Sequence, residues 1–175
     1  MRRVVEAGGK ALVEPMDVMD QGRLAIASDV TGAVFGMWQA GKHTGAQLVN
    51  EPGAWIWNEL VTRDLAAAQE FYTKVFGYSW DAYDTGEGGP AYTLPKVGEN
   101  VVGGAMQMPA DFPAEVPPHW MTYFAVEDTD TVVAAAERLG GAVEVPAFDT
   151  QVGRIAVLRD PQGGVFSVIQ PPATQ

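Results

Sequence analysis

Trp57, Glu59 and Val61 alternate onto one face of a β-type run, and Met121, Tyr123 and Ala125 alternate onto one face of another. On these faces Tyr123 can donate a hydrogen bond, and Glu59 can accept one or serve as a base. Trp57 and Met121 would supply apolar wall; the alternative is that Trp57, Met121 and Tyr123 fill a core and Glu59 meets a local donor. The rest of the chemical inventory is narrow. Cysteine is absent, which excludes disulfides, thiolate metal sites and cysteine nucleophiles. The histidines are His43 and His119, and the serines are Ser28, Ser79 and Ser167. No G-x-S-x-G elbow surrounds a serine, and a two-His-one-carboxylate iron site would consume both histidines. His119 follows Pro117-Pro118 and reads as the end of a loop, and His43 lies in a polar linker. Gly86–Gly89 lacks the Lys-Ser/Thr and helix start of a phosphate loop, so it reads as a hairpin tip or a cavity lid.

The elements that hold these residues follow from capping and periodicity. Trp55–Thr62 has strand composition. Asp64 is a helix N-cap, Leu65, Ala68, Phe71, Tyr72, Val75 and Phe76 recur at helical spacing, and Gly77 sits where a left-handed C-cap belongs. Strands are expected at 78–84, 91–97 and 101–108. The pattern then returns: strand 121–126, Asp128, a helix to Leu139, Gly140-Gly141, and strands 143–145, 154–159 and 165–170. Each unit reads strand, helix, strand, strand, strand. The proline-rich stretch 109–118 is the hinge between them.

A third copy lies upstream, out of phase. Residues 15–39 and 146–170 align without a gap at nine identities in 25, among them Arg23/Arg154, Asp29/Asp160, Gly32/Gly163, Phe35/Phe166 and Gln39/Gln170. Two matching arginines at strand starts favour a structural role for both. The first copy is incomplete: Arg2–Ala7 corresponds to the last turns of a helix, and its opening strand is missing. The expected organisation is an incomplete module at 1–40, a linker at 41–53, and a paired-module domain at 54–172 made of 54–108 and 119–172. Two explanations of the odd half-module are open. The chain is a truncated piece of a four-module protein, or the half-module pairs with a neighbouring molecule. Leu24, Ile26, Val34 and Phe35 are expected to form its uncovered apolar face, which predicts a homodimer or a missing N-terminal half-module.

Apolar residues make up 47% and charged residues 19% of the 175 residues, a globular composition. Residues 51–175 carry six basic and seventeen acidic side chains, the whole of the net charge of −11. Such a surface repels nucleic acid and anionic membranes and favours a cationic ligand, or simply confers solubility. No apolar run is long enough for a spanning helix, and the first residues do not form a signal peptide, so the cytoplasm is the expected address.

The βαβββ repeat, the run Asn58–Gly77 (N-E-L-x-T-x-D-x-x-A-A-x-x-F-Y-x-x-V-F-G) and Asp160–Phe166 (D-P-x-G-x-x-F) resemble the vicinal oxygen chelate superfamily of glyoxalase I, bleomycin-resistance proteins and extradiol dioxygenases. The alternating similarity of the copies resembles its tandem two-domain, glyoxalase-like members, with the N-terminal part missing. The resemblance implies an α+β fold in which paired βαβββ modules form a cup-shaped sheet around a cavity. It also implies metal-ligand positions on the first and last strands of each module. Counting from the capping aspartates puts the first-strand positions at Trp57 and Met121. The D-P-x-G spacing puts the last-strand positions at Ser167 and Gly36, and Gln107 is the polar candidate on the last strand of the second module. Trp, Met and Gly are poor ligands for a divalent ion, and Ser is weak. The expectation is a glyoxalase-like protein that binds a small organic molecule, cationic or aromatic, without a cofactor. Trp57, Met121, Gln107 and Ser167 would be its binding side chains, and Glu59 and Tyr123 its candidate catalytic groups. The alternatives are a divalent-metal lyase, isomerase or dioxygenase using Glu59 and Gln107 as ligands, and a module whose cavity is filled and whose role is association.

Overall fold

A computed structural model describes residues 1–172. It contains α1 (Arg2–Glu6), β1 (Lys10–Val18), β2 (Gly22–Ser28), β3 (Val34–Ala40), β4 (Trp55–Thr62), α2 (Leu65–Phe76), β5 (Ser79–Tyr83), β6 (Tyr92–Val97), β7 (Asn100–Val101), β8 (Gly104–Gln107), β9 (His119–Ala125), α3 (Thr129–Arg138), β10 (Ala142–Thr150), β11 (Gly153–Arg159) and β12 (Val165–Gln170). The chain is α+β, as expected. No helix among the described residues is long and apolar enough to cross a membrane.

Both longer helices start where their caps require. The Asp64 carboxylate accepts from the Ala67 amide at 2.9 Å, and the Asp128 carboxylate from the Thr131 amide at 2.6 Å. Each thereby satisfies a donor that the first helical turn leaves unpaired. α2 ends at Gly77, whose φ of 76° is the left-handed C-cap conformation. Two strand expectations are adjusted. The single strand expected over 101–108 is broken at Val102-Gly103: β7 pairs only with β6, while β8 pairs with both β6 and β4. The strand expected over 143–145 runs on to Thr150, because bulges on either side of Val145 absorb Pro146. The repeat-related β1 absorbs Pro15 in the same way.

The residues group into two compact units, one of Met1–Gly45 and Glu59–Trp120, the other of Ala46–Asn58 and the residues from Met121 onward. In the first, the antiparallel sheet β1-β2-β3 and the strands β8-β6-β5 share a core with α2. Val4, Ala27, Leu60, Phe71, Tyr72 and Ala105 are among its enclosed members. Phe35 belongs to this core, which corrects its expected place on an uncovered face. It pairs with Ala27 across the sheet and meets the rings of Tyr72 at 5.6 Å and Phe76 at 5.8 Å. Strand alternation sends Leu24, Ile26 and Val34 to the opposite face, where Val34 is 52% exposed. In the second unit the order is β10-β11-β12-β9. Ala156, Leu158 and Val168 on one face of these strands pack with Val132, Val133 and Ala136 of α3.

Candidate functional site

The end of the last strand in each complete module fixes the start of its helix. Gln107 on β8 accepts from the Leu65 amide at 3.0 Å and donates to the Arg63 carbonyl at 2.6 Å. Gln170 on β12 accepts from the Thr129 amide at 3.3 Å. The two glutamines therefore do the same work, and they set a common count along the last strands. Three residues before Gln170 is Ser167, and three before Gln107 is Gly104. The ladders agree with this count. Ser167 pairs with Tyr123 in the parallel β12–β9 ladder, and Gly104 pairs with Glu59 in the parallel β8–β4 ladder. Tyr123 and Glu59 each lie five residues before their capping aspartate.

Gln107 thus occupies the helix side of its sheet, with Thr62 as ladder partner and both amide atoms committed at the start of α2. This differs from its expected place beside the other candidate binding residues. The last-strand position of the second module falls on Gly104. Sequence counting missed this because β8 carries no D-P-x-G turn before it; the Gln107/Gln170 match is the signal that finds it.

In the first unit Leu60 and Ala105 face α2, so alternation directs Glu59, Val61, Gly104 and Met106 to the other face. Glu59 is 8% exposed and is engaged by a neighbour.

In the second unit Asn58 accepts from Thr122 Oγ1 at 3.3 Å. This puts both on one face and Trp57, Met121 and Tyr123 on the other. Ser167 joins Tyr123 there, because Val168 belongs to the α3 side. Met121 is buried, Trp57 and Tyr123 are half-buried, and Ser167 is wholly enclosed. Trp57 and Tyr123 are engaged by neighbours. The Ser167 hydroxyl is not: its Oγ is buried and has no hydrogen-bond partner. An unmet buried hydroxyl costs about 1–3 kcal/mol, so a fold keeps one only against a compensating advantage.

A second polar cluster escaped the sequence reading and lies in the first unit. Asp29 is 3% exposed. One of its oxygens accepts from the amides of Thr31 (2.8 Å), Gly32 (2.9 Å) and Ala33 (3.0 Å) and from Thr31 Oγ1. The other accepts from the Tyr72 hydroxyl at 3.0 Å, which in turn accepts from Trp120 Nε1 at 2.9 Å. Burial, then the Asp29 charge, push the Tyr72 phenol well above its ordinary range. Tyr72 therefore holds its proton and the cluster is structural. The repeat-related Asp160 makes the same turn through the amides of Gln162 and Gly164, but no tyrosine meets it.

The remaining candidates serve the frame. Arg154 holds Asp130 at the start of α3 and Asp149 on β10 at 2.9 and 3.0 Å, and it keeps the Asp130 carboxyl below its ordinary value. Arg23 binds Asp17 at 2.7 Å and the Pro15 carbonyl at 3.1 Å. His119 bonds the Pro117 carbonyl through Nδ1, and His43 lies edge-on to Trp38.

The family profile of a glyoxalase-like domain matches residues 55–169. The chain belongs to the glyoxalase-like family. It is 44% identical over 174 residues to "Putative glyoxylase CFP32" of Mycobacterium tuberculosis, covering 99% of this chain and 65% of that protein. It is 40% identical over 169 residues to "Anthracycline biosynthesis protein DnrV" of Streptomyces peucetius, covering 97% of this chain and 60% of that one. The chain thus spans under two thirds of the length of these relatives. The fold is shared with the Mn(II)-bound glyoxalase from Novosphingobium aromaticivorans (TM-score 0.56, 16% identity, 97% of this chain and 56% of that one). That likeness is one of fold.

The superfamily that the sequence resembles raises the question of a metal. The positions its pattern singles out hold Trp57, Met121, Ser167, Gly36 and, by the register above, Gly104. An indole N–H has no lone pair to offer, a thioether is soft, and glycine offers no side-chain donor. Among the described residues no three His, Cys, Asp or Glu side chains stand together as a ligand set.

Proposed function

We propose that this glyoxalase-like chain binds a small organic molecule, aromatic or cationic, on the face that carries Trp57, Met121, Tyr123 and Ser167, without a divalent metal. The carrying observation is the buried Ser167 hydroxyl with no partner, next to Tyr123 in the β12–β9 ladder. The half-buried Tyr123 would meet a ligand polar atom, the indole and thioether would enclose an apolar or ring body, and the fully enclosed Ser167 hydroxyl would join once the side chains over it give way. The net charge of −11 favours a cationic group on the ligand. The donor types at the superfamily's ligand positions support the absence of a metal. Glu59 and Tyr123 remain the candidates for proton transfer, should the ligand be a substrate.

The name of the Streptomyces relative suggests a first probe: an anthracycline is a fused aromatic system with an ammonium group. Titration of the chain with doxorubicin, followed by tryptophan quenching, should saturate. Trp57→Phe should lose most of the quench, and Ser167→Ala should weaken binding roughly ten-fold, the value of one buried hydrogen bond. Binding that Ser167→Ala leaves unaltered would refute the assignment.

The buried Glu59 beside Gly104 favours one second reading, a metal-dependent lyase, isomerase or dioxygenase in which Glu59 is a surviving ligand. The engaged amide of Gln107 argues against its service as the second ligand. A cytoplasmic homodimer, formed over Leu24, Ile26 and Val34, is the proposed setting. Sedimentation at several concentrations checks the association, and a monomer throughout would contradict it.

A further inference from the structure

The first unit has a cleft of about 610 Å³ that the reading above does not use, lined by Arg63, Gly88, Pro90, Gln107, Met108 and Pro109. Its walls mix polar and apolar surface, and one wall is a preformed loop tip. Thr85 Oγ1 donates to the Pro90 carbonyl at 2.9 Å, and the Gly89 amide to the Gly86 carbonyl at 3.1 Å. Gly88 adopts φ 76°, which a side chain would strain, and a Cβ on Gly89 would collide with Thr85.

Arg63 sets the polarity of this cleft. Its Nη2 donates to the carbonyls of Pro113 at 2.6 Å and Val116 at 3.1 Å. Carbonyls fix the orientation of a guanidinium and leave its charge in place. Lys74, Lys96, Arg154 and Arg159 are each paired with a carboxylate. Arg63 is in none of the ion pairs among the described residues, in a chain whose net charge is −11. An oriented planar cation in a cleft that also offers apolar surface selects a planar anion with an apolar body.

The geometry points to this cleft as a binding site for a small organic carboxylate, with Arg63 as the residue that recognises the anion. The site is independent of the ligand face of the second unit.

The test is ¹⁵N NMR titration of the full chain with benzoate, benzylammonium and benzyl alcohol. Benzoate is expected to give saturable shifts at the amides of Gly88, Ala91, Gln107 and Ala110, weakening as salt is added. Arg63→Ala should weaken it roughly ten-fold and Arg63→Lys less, because lysine keeps the charge and loses the fork. The Lys variant covers the case in which loss of the Pro113 and Val116 bonds disturbs the loop. Benzyl alcohol or benzylammonium binding there as well as benzoate would overturn the proposal. So would benzoate shifts that Arg63→Ala leaves unchanged, or no saturable shifts at these amides. Shifts confined to residues 121–125 and 165–169 would overturn the cleft and leave the ligand-face reading standing.

Discussion

In the first unit a buried polar cluster is fully partnered: the Asp29 carboxylate collects backbone amides, the Thr31 hydroxyl and the Tyr72 phenol. In the second unit Ser167 is equally enclosed and has no partner. By the repeat, Asp29 corresponds to Asp160 and Ser167 to Gly36, so the two groups occupy different positions of one repeated module. What differs between them is whether local neighbours supply a partner. A satisfied cluster holds the fold together. The Ser167 hydroxyl contributes no such bond, and it is the group that the proposed ligand site would use.

Mutation should separate the two kinds of site. Asp29→Ala should cost the most, about 3 kcal/mol or more, because it strands the Tyr72 hydroxyl and the Ala33 amide in the core. Asp160→Ala, in the same turn without the tyrosine, should cost about 1 kcal/mol. Denaturant unfolding of the pair gives the contrast directly, and equal losses would break it.

Alkaline pH should reveal Tyr72. Its folded pKa is raised, so its contribution is complete below the unfolded phenol value, about 10, and is lost as pH rises beyond it. The unfolded chain releases this proton first. Stability measured on either side of pH 10 should fall less steeply in Tyr72→Phe than in the parent chain. Gln107→Ala and Gln170→Ala should each cost about 1 kcal/mol by freeing a helix-start amide, and similar values would support the common register. Ser167→Ala should cost nothing: no bond is lost and an unmet buried hydroxyl is removed, so stability should hold or rise by about 1 kcal/mol or more. A large loss there would mean that the hydroxyl is structural after all.

The frame was legible because caps and alternation are local. Asp64, Asp128 and Gly77 mark helix ends by their own chemistry, and the Arg23/Arg154 and Asp29/Asp160 matches identified related turns before any contact was known. Phe35 was misplaced because a repeat match gives the strand without the parity that turns a side chain toward its helix. The register of β8 was missed for a related reason: its sequence has no turn signature, and only the Gln107 bond to Leu65 reveals the count. The Asp29–Tyr72–Trp120 chain joins residues 43 and 48 positions apart. No spacing rule reaches that far. The Arg63 cleft is likewise made by a loop, a strand end and a proline-rich segment that are adjacent only in the fold.

We propose that this glyoxalase-like chain works without a divalent ion. The direct test is the metal content of the protein purified from metal-replete medium, measured beside Glu59→Ala. The account predicts no stoichiometric Mn, Fe, Ni or Zn in either, with ligand binding unchanged by a chelator. Near-stoichiometric metal in the parent chain that disappears in Glu59→Ala would contradict it and make the metal-dependent enzyme the correct reading.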